Sequence, residues 1–163
     1  MKIDNTQTAI KIQMQKRLIA VVVAVLVALL YFISEFSSFL INITGLPKTV
    51  FTIFFLLFFF VFYFYHLFAA SSFTFYSDEE GKIIVRFYQL NGFNTSKLSY
   101  EIPKSEFTSY RLEYKYFKLR ENLILFRKFQ GNIVRYPPLS ISALTKDERK
   151  KLLLSLNQNL PKT

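Results

Sequence analysis

The residue types that carry most enzymatic chemistry are scarce in this chain. It contains one histidine, His66, and no cysteine, so zinc sites built from several His and Cys ligands are excluded within a single chain. The adjacent acids Asp78, Glu79 and Glu80 precede Gly81 and are typical of an exposed turn, where carboxylates do not converge. No stretch forms a glycine-rich phosphate-binding loop. The sequence therefore predicts a protein that is not an enzyme, with no catalytic residues, no metal and no cofactor.

Two polar side chains lie within or beside apolar stretches. His66 could ligate haem or relay protons, or it could belong to an aromatic belt at a membrane interface. The belt is favoured, because haem held between helices often needs a second axial ligand, which only a partner could supply. Glu35 lies inside a bilayer if the first apolar helix continues to Ile43, and it touches headgroups if that helix ends near Ile33. The serines that begin at Ser34 mark a wetter stretch and favour the second alternative.

Two basic clusters are candidates for contact with lipid headgroups. Lys16 and Arg17 precede the first apolar run, and Arg149, Lys150 and Lys151 lie in a predicted final helix. An anionic membrane surface attracts each nearby basic side chain by about 1 kcal/mol. The alternative is that these charges only serve topology and solubility, and the sequence does not decide between the two.

Nucleic-acid binding is not expected, although the carboxyl-terminal part of the chain is basic. Residues 71–163 contain 16 of the 21 Lys and Arg residues and nine of the 11 acidic residues. Basic and aromatic residues are interleaved in Tyr110–Lys118, as on some RNA-binding platforms. Strand alternation, however, puts the tyrosines on one face with Leu112, so we expect them to form core. Membrane lipids are the expected partners of the basic surface.

The apolar residues are concentrated in two stretches of the amino-terminal half. Leu18–Ile33 has no charged or strongly polar side chain, and Val50–Ala70 has only one threonine, tyrosine hydroxyls and His66 as polar groups. A helix that crosses a bilayer needs about 20 largely apolar residues. As a strand the Phe-rich second stretch would be too long, and in water it would aggregate. We therefore predict a two-helix transmembrane hairpin over residues 18–70, with an outer loop at 34–49.

The distribution of basic residues predicts the orientation of this hairpin. Four Lys or Arg residues precede the first span, only Lys48 lies in the loop, and the others follow the second span. The positive-inside rule then places both termini in the cytoplasm. Residues 1–17 become a basic cytoplasmic segment with a short interfacial helix, and 71–163 a cytoplasmic domain. A cleaved signal peptide over residues 1–38 is the alternative, against which the long basic region and the missing Ala-x-Ala site argue.

Beyond Ala70 the sequence alternates in the manner of β-strands. Turn signals lie at Asp78–Gly81 and at Gln130–Asn132, where glycine can supply a positive φ. A capping box at Thr145–Glu148 then begins a helix whose leucines recur every four residues from Leu152. We expect this amphipathic helix to pack on the sheet.

The order of six or seven antiparallel strands followed by one helix resembles a pleckstrin-homology-like (PH-like) domain. The resemblance covers Phe73–Leu160 and is carried by YEIPKSEFTSYRLEYKYF, LILFRKFQGNIVRYPPLSIS and TKDERKKLLLSL. The complete layout resembles small bacterial membrane proteins in which a two-helix hairpin carries a cytoplasmic PH-like domain, the YcxB-like group among them. The implied fold class is a membrane α-helical hairpin plus a β-rich PH-like domain, located in the bacterial inner membrane. The resemblance provides no motif from which binding residues could be assigned.

Three functions follow as hypotheses. The first is noncatalytic interaction or assembly, as an accessory subunit or scaffold of a larger inner-membrane complex, with other membrane subunits or a second copy as partners. The second is an anionic-lipid-binding module that uses the basic clusters. The third is a transport or respiratory subunit that uses Glu35 or His66.

Overall fold

A computed structural model describes residues 1–90 and 97–161 of the protein. The chain divides into two compact units. One consists of Met1–Ile10 together with Leu67–Thr163 and contains the strands and the last helix. The other, Lys11–His66, contains most of the apolar helical region.

Three helices occupy the amino-terminal half: α1 (Thr6–Phe32), α2 (Ser34–Thr44) and α3 (Lys48–Ala69). Within the described residues, α1 and α3 are long and apolar enough to cross a membrane. The 22 residues of α3 have a helical length of about 33 Å, close to the thickness of a bilayer core. The prediction of two long apolar helices ahead of a β-rich region is confirmed.

The connection predicted as an outer loop at 34–49 contains the helix α2 of 11 residues. Helix α1 stops because Ile33 adopts an extended conformation, with φ −114° and ψ 105°. Helix α2 ends at Gly45, whose left-handed φ of 71° lets its N–H donate to the carbonyl oxygen of Ile41. The apolar residues Phe36, Phe39, Leu40 and Ile43 recur at helical spacing, in line with the alternative in which helical structure continues to Ile43.

The strands form two antiparallel sheets. The first has the order β1 (Lys2–Asp4), β2 (Ser72–Ser77), β3 (Lys82–Gln89) and β4 (Leu98–Pro103). The second contains β5 (Phe107–Lys115), β6 (Arg120–Phe129), β7 (Asn132–Arg135) and β8 (Leu139–Ser140). Strand β6 pairs with β5 along one edge, and with β7 and β8 along the other.

Both predicted glycine turns are present. Glu80 and Gly81 have φ values of 54° and 73° between β2 and β3, and Gln130 and Gly131 have 49° and 83° between β6 and β7. Two consecutive residues with positive φ match the right-handed twist of the strands that they join, which is why two-residue hairpins favour them. Glycine accepts this conformation without strain, so it fixes the register at both turns.

The predicted final helix is α4 (Lys146–Gln158), and it begins with the predicted capping box. The Thr145 hydroxyl accepts a hydrogen bond from the Glu148 amide at 3.2 Å, and the Glu148 carboxylate accepts one from the Thr145 amide at 2.8 Å. Leu152 and Leu156 are buried in the core, and Leu160 packs against its edge. The four-residue spacing of the leucines therefore forms the face that α4 buries.

The core of this unit draws residues from both sheets and from α4. Strands β3 and β4 contribute Ile83 and Ile102, β6 contributes Leu123 and Leu125, and α4 contributes Leu156. All five side chains are fully buried. Each buried aliphatic side chain contributes roughly 1.5 to 3 kcal/mol to folding, so this common core is what holds the two sheets and the helix together.

The first residues of the chain belong to the sheet. The sequence analysis placed 1–17 in a segment of their own, but in the structure Ile3 lies opposite Tyr76 and is buried in the core. The Asn5 side chain continues the pairing: its amide donates to the Ser72 carbonyl oxygen at 3.1 Å, and its oxygen accepts from the Thr74 amide at 2.7 Å. Asn5 thus satisfies buried backbone groups of β2 at the point where α1 begins.

A polar network also connects α4 to the first sheet. The Tyr76 hydroxyl is hydrogen-bonded to Ser155 at 2.7 Å, and Ser155 donates to Asp78, which pairs with the terminal ammonium group of Met1. Burial raises the pKa of Tyr76 to about 12. Burial disfavours the charged form of Asp78, but the ammonium group and Ser155 outweigh it and hold the pKa of this carboxyl below its usual range. The network therefore keeps a neutral Tyr76 beside an ionised Asp78 at neutral pH.

The role of β1 can be tested by truncating Ile3. We expect Ile3→Ala to lower the free energy of unfolding by about 2 kcal/mol, because it removes a buried aliphatic side chain from the core. Ile10→Ala is the matched control, since Ile10 is 46% exposed, and it should change stability by about 0.5 kcal/mol or less. Thermal unfolding of the full chain in mild detergent, followed by the near-ultraviolet circular dichroism of its tyrosines, measures both. Equal effects of the two variants would contradict the assignment of β1 to the core.

Candidate functional site

An apolar groove of about 500 Å³ lies between α1 and α3. Leu56 and Phe59 of α3 form one wall, and Phe32 lines it from the carboxyl end of α1. The other wall is a face of α1 made of small and β-branched residues: Ala20, Val23, Ala24, Val27 and Ala28. The two helices are linked by the Thr52 hydroxyl, which donates to the Tyr31 hydroxyl at 3.3 Å.

The alanines of the groove follow the spacing of a helix-packing motif. Ala20, Ala24 and Ala28 are four residues apart, so they lie above one another on one face of α1. Small residues at this spacing let the backbone of a neighbouring helix approach closely, which is how helices associate in lipid. The spacing is visible in the sequence as AVVVAVLVA, a signal beyond the apolar character on which the prediction of a span rests.

The apolar side chains of α3 are exposed along the helix. None of the residues in its most apolar 18-residue window is buried, and Phe54, Phe58 and Val61 are each more than half exposed. An apolar surface of this extent is stable only when lipid or another protein covers it.

The structure separates the two polar candidates of the helical region. Helix α1 ends at Phe32, and Glu35 lies in the first turn of α2, where it is exposed. His66 lies between the rings of Phe62 and Tyr65, at centroid distances of 4.7 and 5.3 Å. Within the described residues the His66 Nδ1 atom has no hydrogen-bond partner. Roles for Glu35 and His66 in transport or redox chemistry stay predictions.

No metal-binding constellation is found in the described part of the chain, where no three His, Cys, Asp or Glu side chains lie close enough together to hold an ion. The acids of the turn after β2 take part in structural contacts. Asp78 belongs to the network around Ser155, and Glu79 lies 3.7 Å from the terminal ammonium group.

The basic cluster of α4 divides into two kinds of residue. Arg149 forms an ion pair with Glu121 of β6, a carboxylate that is 5% exposed, and Glu121 also accepts a hydrogen bond from Tyr114 at 3.2 Å. The charge of Glu121 raises the pKa of Tyr114. Lys150 and Lys151 are exposed. The headgroup role predicted for the cluster is therefore open to the two lysines, whereas Arg149 balances a buried charge of the fold.

The basic residues ahead of the first apolar run also differ from each other. Arg17 is exposed, and Lys16 is half-buried in α1. Their headgroup role stays a prediction, as it does for the lysines of α4.

The expectation that the tyrosines of Tyr110–Lys118 form core is wrong for Tyr114 and Tyr116. Tyr110 and Leu112 pack against the core, but Tyr114 and Tyr116 are 54% and 50% exposed. The core ends near Leu112, and Tyr116 belongs to the turn that follows β5. Alternation predicts which residues share a face, but it does not predict how far along the strand that face is covered.

Comparison with known proteins gives no match: no family model, no curated protein and no solved structure is significantly similar to the chain. The function must therefore be argued from the residues and surfaces described above.

Charge removal from α4 should separate structural from surface residues. We expect Arg149→Ala to lower the free energy of unfolding by about 2 kcal/mol, because it leaves the buried Glu121 carboxylate without its partner. Lys150→Ala and Lys151→Ala are the controls of equal charge change and should each cost about 0.5 kcal/mol or less. Thermal unfolding in mild detergent measures the difference. A loss of stability shared equally by the three variants would contradict the division of the cluster.

Proposed function

We propose that the chain is a noncatalytic, membrane-anchored assembly subunit in which α1 binds a transmembrane helix of another subunit. The observation that carries this proposal is the groove beside α1, with Ala20, Ala24 and Ala28 along one wall. The partner is a second copy of the chain or a different membrane protein. Both would present the same chemistry, an apolar helix that approaches the alanine face.

A helix fits this groove better than a lipid chain does. Acyl chains are flexible and cover any apolar surface, so they gain little from alanines spaced four residues apart. Lipid is as apolar as the helices, so it provides no hydrophobic driving force and association depends on van der Waals contact. A rigid helix gains this contact where small side chains let the two backbones approach. The spacing of Ala20, Ala24 and Ala28 therefore favours a helix as the occupant.

The strand pairing supports a hairpin with both termini on one side of the membrane. One residue separates β1 from α1, and two residues separate α3 from β2. Because β1 and β2 pair in antiparallel fashion, the chain enters α1 and leaves α3 at the same end of this strand pair. The excess of basic residues at both ends supports a cytoplasmic location for this side, as the positive-inside rule expects.

The contribution of β1 to the core also argues against a cleaved signal peptide. Cleavage near residue 38 would remove Ile3 and the Asn5 side chain, which are both buried in the sheet unit. The amide and carbonyl groups of β2 that they cover would lose their partners. Retention of the first helix is therefore part of the proposal.

The β-rich unit is the candidate cytoplasmic domain. Two antiparallel sheets with one carboxyl-terminal helix are compatible with a PH-like fold, and that assignment supports a role in protein contacts, in line with the resemblance to YcxB-like proteins. We propose that this domain positions a cytoplasmic partner while α1 holds the membrane partner.

The groove can be tested by filling it. We expect Ala24→Leu to weaken association with the membrane partner about tenfold, which corresponds to the 1 to 2 kcal/mol typical of a helix contact in lipid. Val25→Leu is the control, because Val25 lies outside the groove and is 51% exposed, and it should leave association unchanged. Native mass analysis after extraction from the native membrane in mild detergent measures the bound partner and also identifies it.

The outcomes of this experiment separate the two partners. A mass equal to a multiple of the chain identifies a second copy, and another mass identifies a different subunit. A wild-type chain that remains a lone monomer under all mild conditions would overturn the proposal, and so would equal weakening by the two substitutions.

A further inference from the structure

The turn between β5 and β6 presents an aromatic side chain entirely to the surroundings. Phe117 is fully exposed, and its neighbours Tyr116 and Leu119 are 50% and 40% exposed. Folding gains little from a fully exposed phenylalanine, because its ring removes no apolar surface from water. The turn Tyr116–Leu119 therefore forms an exposed apolar tip, which an apolar environment would stabilise.

The backbone of this turn is strained. Tyr116, Phe117 and Lys118 have φ values of 51°, 54° and 69°, a left-handed conformation that is unfavourable for residues other than glycine and asparagine. No glycine relieves it, in contrast to the turns at Gly81 and Gly131. Strain of this kind at an exposed site points to a functional requirement for these side chains.

The tip lies against the end of the apolar helix α3. The ring of Tyr116 contacts that of Phe68, with centroids 5.3 Å apart, and Phe68 belongs to the last turn of α3. The same turn is held from the second sheet, where the Ser140 hydroxyl donates to the Ala69 carbonyl oxygen at 3.4 Å. The tip is therefore next to the place where an apolar helix of spanning length ends.

The charges around the tip complement an anionic surface. Lys115, Lys118 and Arg120 flank the aromatic residues. Of the nearby acids, Glu113 lies 3.6 Å from Lys115, and Glu121 is buried and paired with Arg149. Aromatic rings beside lysines are typical of segments that lie at the boundary between headgroups and acyl chains. A protein groove could also take up the Phe117 ring, but it would not explain why the turn has basic neighbours and contacts the last turn of α3 through Tyr116.

We propose that the β5–β6 turn is a membrane-docking finger that inserts Phe117 into the interfacial layer of an anionic leaflet, with Lys118 against the headgroups. The finger rests on the membrane anchoring proposed above. It gives the β-rich unit a second point of attachment to the bilayer, and thereby fixes which of its surfaces a cytoplasmic partner meets.

Because the chain contains no tryptophan, single tryptophans report directly on this placement. Phe117→Trp marks the finger and should not disturb folding, since Phe117 is fully exposed. Phe129→Trp marks the opposite end of β6, where Phe129 is 46% exposed, and Phe58→Trp marks the middle of α3, where Phe58 is 54% exposed. Each full-length variant is reconstituted into vesicles of phosphatidylcholine, alone or mixed with phosphatidylglycerol, with and without bromine on the acyl chains.

We expect the emission of Phe117→Trp in anionic vesicles to be blue-shifted and quenched by brominated lipid several-fold more than that of Phe129→Trp. The added change Lys118→Glu should reduce this quenching, and phosphatidylcholine alone should support less of it. Phe58→Trp should be strongly quenched in both lipids, because it depends on the anchoring alone.

Other outcomes overturn the proposal in distinguishable ways. Quenching at position 58 without quenching at 117 would remove the finger and leave the anchoring intact. Absence of quenching at position 58 would contradict both the finger and the membrane anchoring. A blue-shifted but unquenched tryptophan at 117 would show that protein covers the tip, and equal quenching at 117 and 129 would show that the contact is not specific to the finger.

Discussion

The pairing of β1 with β2 is the constraint on which the rest of the structure depends. These strands are about 70 residues apart in the chain, and the whole apolar helical region lies between them. Closing so long a loop has an entropic cost, which is offset by the burial of Ile3 in the core and by the two hydrogen bonds of Asn5 to β2. With the strands paired, the entry to α1 and the exit from α3 are adjacent.

Features that depend on neighbouring residues could be predicted from the sequence. The two long apolar helices, the glycine turns at Gly81 and Gly131, and the capping box at Thr145 each have a local signature of spacing or residue type. Each also appears in the structure with the expected geometry. The interactions that form these features involve only a few consecutive residues, so a single sequence is enough to predict them.

Features that depend on distant partners could not be predicted in this way. Strand β1 has three residues, too few for an alternating pattern, and only its partner β2 defines it. The pairing of Arg149 with Glu121 joins α4 to β6, so the sequence showed Arg149 only as a member of a basic cluster. Tyr116 has the residue type and spacing of a core residue, and its exposure follows from where the core ends. In each case the local pattern is compatible with both a buried and an exposed position, and contacts with distant residues decide between them.

The exit from α3 is held within the β-rich unit. Ala70 ends the helix with a left-handed φ of 44°, and the backbone after it is held at once: the Ser71 carbonyl oxygen accepts from the Leu90 amide at 2.9 Å, and the Ser72 carbonyl oxygen accepts from Asn5. The last turn of α3, from Leu67, therefore belongs to the β-rich unit. If α3 crosses a bilayer, the boundary that it sets is also the boundary for the residues beside its last turn, and Tyr116 is one of them.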